Sequence, residues 1–383
     1  MSMNGSDRSA ADRFRDEFLR WKRGSVTRRH FLGVTGLGFA GAMLGGTSRL
    51  SGRASAGDLG RRVSLATWPN YHDPASFEAF TAATGVEVEV KAYGSNEDMY
   101  AAIRSGAYAC DLCVATNYAI PNYVARGLLE EIDIGRVRNF NPSSVDGRFA
   151  AAGTVAGRTY ALPKNWGATG MAVNTGHITS PVARWKDFFD LAQTEASGRT
   201  VVHDYQLTTV GTALVALGYP FSSVDPQELA KAEELLIRVK PHLYAIDSDY
   251  QAAMRSEDAW LSMCWSNDGA QLHRDLPEIE YVIGADGGEL WCDFYAIPTS
   301  APHKAAGYAL LDFLLDPAVA VREHIANGAP TTDSRVLALL PEEVTSNRII
   351  YPEAAALKPL EFGAAVTMFD PGRNDVMERF RSA

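Results

Sequence analysis

Beyond residue 60 the chain alternates short apolar runs with longer segments of helical periodicity. Arg62 to Thr67 predicts a strand, and Pro74 to Thr84 a helix with Phe77 and Phe80 on one face, stopped by Gly85. Val86 to Ala92 alternates Val86, Val88 and Val90 against Glu87, Glu89 and Lys91, the period of a strand. Ser95 caps a helix from Asn96 to about Ser105 that Gly106 ends, Asp111 to Ala115 is a third strand, and Tyr123 to Gly127 closes another helix. This βαβαβ order predicts an α/β fold with a mostly parallel, doubly wound sheet.

A second unit repeats that grammar. Strands are predicted at Met171–Asn174, Thr200–Asp204, Ala259–Trp265, Ile279–Gly284 and Leu290–Ile297, the last after the turn Asp286-Gly287-Gly288. Helices are predicted at Trp185–Leu191, Thr208–Leu217, Pro226–Val239 and Ala305–Leu315, and Pro317 opens one more. In Pro226–Val239 the inward face carries Leu229, Leu235, Leu236 and Val239.

The first 56 residues read differently. Thr27-Arg28-Arg29-His30-Phe31-Leu32 resembles a bacterial twin-arginine export signal. The run from Phe31 to about Gly46 is small, apolar and glycine-rich, and is shorter than the roughly 20 residues of a membrane span. Ala54-Ser55-Ala56 offers a small-x-small cleavage pattern, so a mature chain from Gly57 in the periplasm is expected. An amphipathic or buried helix is the alternative, and its interior glycines disfavour it by about 0.5–1 kcal/mol each.

Export changes the electrostatics. The whole chain carries 36 basic and 46 acidic residues, a net charge of −10; residues 1–56 hold 10 basic and 4 acidic side chains, so the mature chain stands at −16. Such a balance repels nucleic acid and anionic lipid and suits cationic partners. No second hydrophobic span follows Gly57, and a two-domain globule is expected. Cys110 and Cys113 form a C-x-x-C in a strand-like context, where positions i and i+3 face opposite ways, so the expectation is two small buried thiols. Cys264 and Cys292 pair only if their strands are adjacent.

Aromatic residues gather where strands end. Trp68 and Tyr71 follow the first strand, Tyr118 follows the third, Trp265 ends one, and Trp291 shares a strand face with Asp293. Open α/β sheets bind ligands at the carboxyl ends of strands, so these aromatics and one carboxylate suggest a box for an organic cation. Core packing is the alternative for any single tryptophan, but the set shares a loop-side edge rather than a helical stripe.

Trp68-Pro69-Asn70-Tyr71, Gly94-Ser95-Asn96-Glu97-Asp98-Met99-Tyr100, Tyr108 with Asp111-Leu112, Trp166-Gly167-Ala168-Thr169-Gly170 with Val173-Asn174, Trp265-Ser266-Asn267, and Gly287-Gly288 before Trp291-Cys292-Asp293 occur in a telling order. From about residue 62 to the C-terminus this order resembles the spermidine/putrescine-binding proteins of bacterial ABC importers. The resemblance implies a two-lobed periplasmic-binding-protein fold of type II, each lobe a doubly wound sheet, with two crossover hinge segments and closure around the ligand. One lobe would comprise 57–169 plus 292–332, the other 170–291 plus 333–383. It implies a ligand box of Trp68, Tyr71, Thr116, Tyr118, Trp265, Trp291 and Asp293, with Tyr205 beside it. Asp293 would meet an ammonium group through a charge-assisted hydrogen bond. An internally paired or exposed Asp293 is the structural alternative. An ABC permease as partner, a monomeric state, and neither cofactor nor metal are expected.

The departures narrow the ligand. Where the family has an acidic pair, this chain has Tyr205 and Thr208 after Asp204, so the second ammonium anchor reads as missing. Ala329 stands where an aromatic is expected, and Gly363 where a polar contact is. A cationic amine with one charged end, or a zwitterion, fits these residues better than spermidine. Lys164 and His203 read as a solvated lysine and a surface histidine, with a carboxylate-facing role as alternative. A sensor for another small solute, or an exported redox enzyme, are the competing functions. The enzyme lacks support: there is no His/Cys/carboxylate set at metal-ligand spacing, no G-x-G-x-x-G after a strand and no G-x-S-x-G turn.

Overall fold

The computed structural model describes residues 59–383; the twin-arginine motif and the cleavage pattern lie outside them. Twelve strands are described: β1 Arg62–Thr67, β2 Glu87–Ala92, β3 Leu112–Thr116, β4 Thr154–Val155, β5 Arg158–Thr159, β6 Ala161–Asn174, β7 Thr200–Val202, β8 Leu243–Ile246, β9 Leu261–Trp265, β10 Ile279–Val282, β11 Gly288–Ala296 and β12 Leu360–Phe362. All but the β4–β5 pair join one sheet, whose main path runs β2-β1-β3-β11-β6-β9-β7-β8.

The flanks of this sheet are parallel and its centre is not. β1 pairs in parallel with β2 and β3, and β7 with β8 and β9, as the alternating grammar predicts. In the middle β3–β11, β11–β6 and β6–β9 are all antiparallel, which corrects the expectation of a mostly parallel sheet. The difference comes from β6 and β11, which run long through the centre. β6 spans 14 residues and is buried throughout, whereas the pattern predicts only Met171–Asn174. Pro163, Lys164 and Asn165 hide its first half from a hydrophobicity reading. Pro163 lies opposite Phe294, where the register of β11 shifts after Asp293, a position at which a strand tolerates a missing amide hydrogen.

Helix ends follow local chemistry closely. Helix Pro74–Thr84 begins with an Asp73 cap on Ala75 N and ends at Gly85 with φ 75°. Helix Asn96–Ser105 has Ser95 accepting from Asp98 N, and ends at Gly106 with φ 71°. Helix Pro226–Val239 starts at an Asp225 cap and buries Leu229, Ala232, Leu235, Leu236 and Val239. Its partners are the helices Gln206–Ala216 and Pro371–Ser382.

Arg373 locks those helices together. Its side chain is fully buried and donates to Gln206 Oε1 (2.8 Å), Phe221 O (3.1 Å), Ser223 O (2.8 Å) and Leu207 O (3.0 Å). Burial lowers the guanidinium to about 10, partly offset by Asp370, Glu289 and Glu361.

The cysteines are all buried and unbridged. Cys264 and Cys292 pair with Gly170 and Trp166 of β6, four residues apart. That is about 13 Å along a strand, beyond the roughly 7 Å limit between bridged Cα atoms. Cys110 lies ahead of β3 rather than on it, so strand alternation does not decide how it faces Cys113. The Cys113 thiol is pushed well up by that neighbour and by burial, the state of an inert thiol. Among the described residues no helix is long and apolar enough to cross a membrane.

Candidate functional site: a strand with two buried carboxylates

Side chains alternate along β11, so Glu289, Trp291 and Asp293 share one face and Leu290, Cys292 and Phe294 the other. The first set contains two of the eight residues expected from the sequence, Trp291 and Asp293, and the other six lie on the hydrogen-bonded and aromatic network around it.

Asp293 is 4% exposed and holds three donors. Trp68 Nε1 donates to Oδ2 at 2.9 Å, Tyr71 OH to Oδ2 at 2.5 Å, and Thr116 Oγ1 to Oδ1 at 2.7 Å. Trp68 and Tyr71 come from the loop after β1 and Thr116 from the end of β3, so the parallel flank brings strand ends together as the topology requires. Thr116 is itself fixed by Asn96, whose amide donates to Thr116 Oγ1 (3.0 Å) and accepts from Thr116 N (3.1 Å). Tyr71 OH also lies 2.7 Å from Asn165 Oδ1, while Asn165 Nδ2 is buried without a partner. A phenol has one proton to give; the contacts resolve if the Asn165 amide turns its nitrogen to Tyr71 and Tyr71 donates to Asp293.

Behind this corner lies a charged network. Lys164 Nζ sits 4.0 Å from the Tyr71 ring centroid, and burial lowers its ammonium to about 8 while Glu323 and Asp293 oppose the shift. The expectation of a solvated lysine is therefore wrong, because the first half of β6 is interior. Burial alone would raise the Glu323 carboxyl, yet His72, at 2.7 Å, and Lys164 hold it at about 2. Asp293 ends above the ordinary carboxylate range: burial outweighs its three hydrogen bonds and the influence of Lys164.

The second corner was not foreseen. Glu289 is 3% exposed, and its Oε2 accepts from Thr169 Oγ1 (2.6 Å) and Thr208 Oγ1 (3.0 Å). Thr208 Oγ1 is 2.6 Å from Tyr205 OH, which is 3.3 Å from Trp265 Nε1. With one proton per group the relay runs from the Trp265 indole to Tyr205, then to Thr208, then to the carboxylate. Thr208 thus stands against a buried carboxylate on the Asp293 face, one the sequence reading did not name. Burial raises the Glu289 carboxyl to about 7 against the two threonine hydrogen bonds. The sequence held a signal for it: Glu289 is two positions before Trp291 and four before Asp293, on the same face.

Two aromatic walls complete the set. Tyr118 OH lies 3.3 Å from Glu97 Oε1, and burial also raises the Glu97 carboxyl. His203 stacks on Tyr205 (centroids 5.5 Å) and Tyr250 (5.4 Å) and leans on Trp265 (4.6 Å). It is fully buried, not on the surface, and burial holds it neutral with a pKa of about 3. Trp291 lies across β6 at Gly167, where an added Cβ would fall 2.2 Å from Trp291 Cζ2 and 2.6 Å from Ser266 Oγ. Its indole nitrogen is buried and has no partner among the described residues. Ala329 is buried and accepts from His324 through its carbonyl, and the nearby Trp166 is held by the carbonyls of Pro330 and Thr331. Gly363 packs against Leu207 and the Tyr118 Cβ.

Apolar faces, hydroxyls and buried carboxylates are the groups with which a small organic cation can be recognised, which makes this set the candidate site. Among the described residues no cluster of three or more His, Cys, Asp or Glu could hold a metal ion. Two surface depressions of about 540 Å³, lined by Arg61, Arg62, Gly85, Glu87 and His303 and by the 283–285 and 355–359 loops, lie apart from this site.

Residues 75–350 match the model of a family described as bacterial extracellular solute-binding protein, and the chain belongs to that family. It is 31% identical over 341 residues to a spermidine/putrescine-binding periplasmic protein of Escherichia coli, covering 86% of this chain and 94% of that one. It is 27% identical to a putrescine/agmatine-binding protein of Pseudomonas aeruginosa, over 78% of this chain and 86% of that one. A solved structure titled as a putative spermidine/putrescine ABC transporter from Listeria monocytogenes superposes with a TM-score of 0.78 at 25% identity, covering 84% of this chain and 99% of that one. The fold is the two-lobed type II periplasmic-binding-protein fold, with the antiparallel pair β6 and β11 at its centre.

Proposed function

We propose that this protein captures a cationic amine in the periplasm and delivers it to an ABC permease of the inner membrane, after removal of the leader near Ala56. The observation that carries this reading is Asp293: a buried carboxylate with an indole, a phenol and a hydroxyl fixed on its oxygens, and no ion pair with any described residue. An ammonium group supplies the missing charge, and the faces of Trp68, Tyr71 and Trp291 cover the methylenes beside it. The family membership and the polyamine-binding relatives support the same class of ligand.

The two lobes, 57–169 plus 292–332 and 170–291 plus 333–383, close around the ligand by bending where β6 and β11 pass between them. The protein acts as a monomer, uses no cofactor and catalyses no reaction. Closure presents both lobes to the permease, which makes transporter affinity depend on ligand.

A thermal-shift screen of the mature chain tests this. A ligand at 100 times its Kd adds about 2.7 kcal/mol of stability. Amines should raise Tm in the wild type and not in Asp293→Ala. Stabilisation by neutral sugars or anions, with none by amines, refutes the reading.

A further inference from the structure

Glu289 has the position of a ligand-facing acid and no described purpose. It shares the β11 face with Asp293 and is buried as deeply. Its two hydrogen bonds come from neutral hydroxyls, Thr169 and Thr208, and no described residue forms an ion pair with it. The nearest cation is already engaged: Arg373 donates to Gln206 and to backbone carbonyls and reaches Glu289 only at longer range. Lys164 serves the Asp293 and Glu323 side. The other ionisable groups felt at this corner are the phenols of Tyr118, Tyr205 and Tyr281 and the acids Asp293 and Glu97, none of them cationic.

Resting on the amine-binding reading above, we propose that Glu289 is a second cation subsite, binding the far charged end of an amine whose near end sits on Asp293. Tyr205 and Trp265 wall that subsite, and Thr169 and Thr208 aim the carboxylate. This restores a two-ended cation as the preferred ligand.

Spacing sets the length. Positions 289 and 293 lie about 13 Å apart along an extended strand. With the two side chains upright, taking about 2.8 Å at each end for a charge-assisted hydrogen bond leaves a span of about 7 Å. A four-carbon diamine has five bonds of about 1.5 Å between its nitrogens and, zigzag and extended, reaches only about 6 Å. A triamine or a longer diamine spans the gap.

The subsite also couples binding to protons. Without ligand the Glu289 carboxyl stands near 7, so it is about half protonated at that pH. A bound ammonium favours the carboxylate, so binding expels a proton and affinity rises as pH climbs through about 7.

Isothermal titration of the mature full-length chain separates the possibilities, with butylamine, 1,4-diaminobutane and spermidine as probes. Wild type should bind spermidine at least tenfold more tightly than butylamine. Glu289→Gln should abolish that preference while butylamine affinity stays within about twofold. Wild type titrated at pH 7 in buffers of different ionisation enthalpy should release about half a proton per spermidine, a readout independent of any variant's folding. If spermidine binds and Glu289→Gln matches wild type in both amine preference and proton release, Glu289 is not a subsite although the amine reading stands. If no amine binds the wild type, both fall together.

Discussion

The two ends of β11 solve the same problem differently. At Asp293 three donors of different kinds converge directly on the carboxylate, and a buried lysine stands behind it. At Glu289 two threonine hydroxyls do the work, one of them at the end of a relay from Trp265 through Tyr205, and the nearby guanidinium is spent on carbonyls. Burial raises both carboxyls, Asp293 against three direct donors and a nearby lysine, and Glu289, to about 7, against two threonine hydroxyls. In the proposed reading one corner anchors and the other discriminates.

Breaking the anchor should cost most. Asp293→Ala removes an acceptor for three donors and the charge that meets the ligand; hydrogen bonds to charged groups are worth about 1.5–3 kcal/mol each, so amine affinity should fall by about 100-fold or more by calorimetry. Gly167→Ala comes next. Its Cβ cannot coexist with the Trp291 ring, so the indole must leave the space between the corners. Affinity should drop about tenfold or more with a changed tryptophan emission spectrum, and an unchanged spectrum with full affinity would refute the packing argument.

Thr116→Val tests how much of the anchor is preorganisation. It deletes one donor to Asp293 without changing volume greatly, and should weaken binding about tenfold through a faster dissociation rate. The pH response sharpens the contrast. The Glu289 carboxyl is raised in the folded state to about 7 from an ordinary 4.5, so its contribution to ligand-free stability is complete below about 4.5 and is lost as pH rises through about 7. Melting of the ligand-free protein from pH 5 to 8 should show this loss in wild type and a smaller one in Glu289→Gln. The smallest effect belongs to Thr208→Val, which removes one neutral hydroxyl from Glu289 and should cost about 1 kcal/mol in denaturant unfolding.

Most of the Asp293 corner was legible in the sequence because its parts are local. Trp68 and Tyr71 follow a strand that six residues of pattern define, and Trp291 and Asp293 declare a shared face by their spacing, whereas Thr116, one residue past the predicted third strand, entered through the family resemblance. The Glu289 corner was hidden for two reasons. A glutamate next to Gly287-Gly288 reads as part of a solvated turn, and the residues that cover it, Thr169 and Thr208, lie about 120 and 81 positions away. Lys164 and His203 were misplaced for a related reason: a polar residue looks exposed until the interior that satisfies it is known. For Cys264 and Cys292 the sequence left the pairing conditional on strand adjacency, and their register on β6 sets them apart.

The sequence by itself determined the helix ends, through caps and left-handed glycines, and the alternation that makes the flanks of the sheet parallel. It also determined which aromatics stand at strand ends, because those signals act over a few residues. Only the tertiary structure decided that β6 and β11 run antiparallel through the centre, that a lysine and a histidine are buried, and that a second carboxylate shares the site. Those outcomes depend on which distant segments exclude water from a given side chain, and burial of that kind belongs to the assembled fold rather than to any stretch of chain.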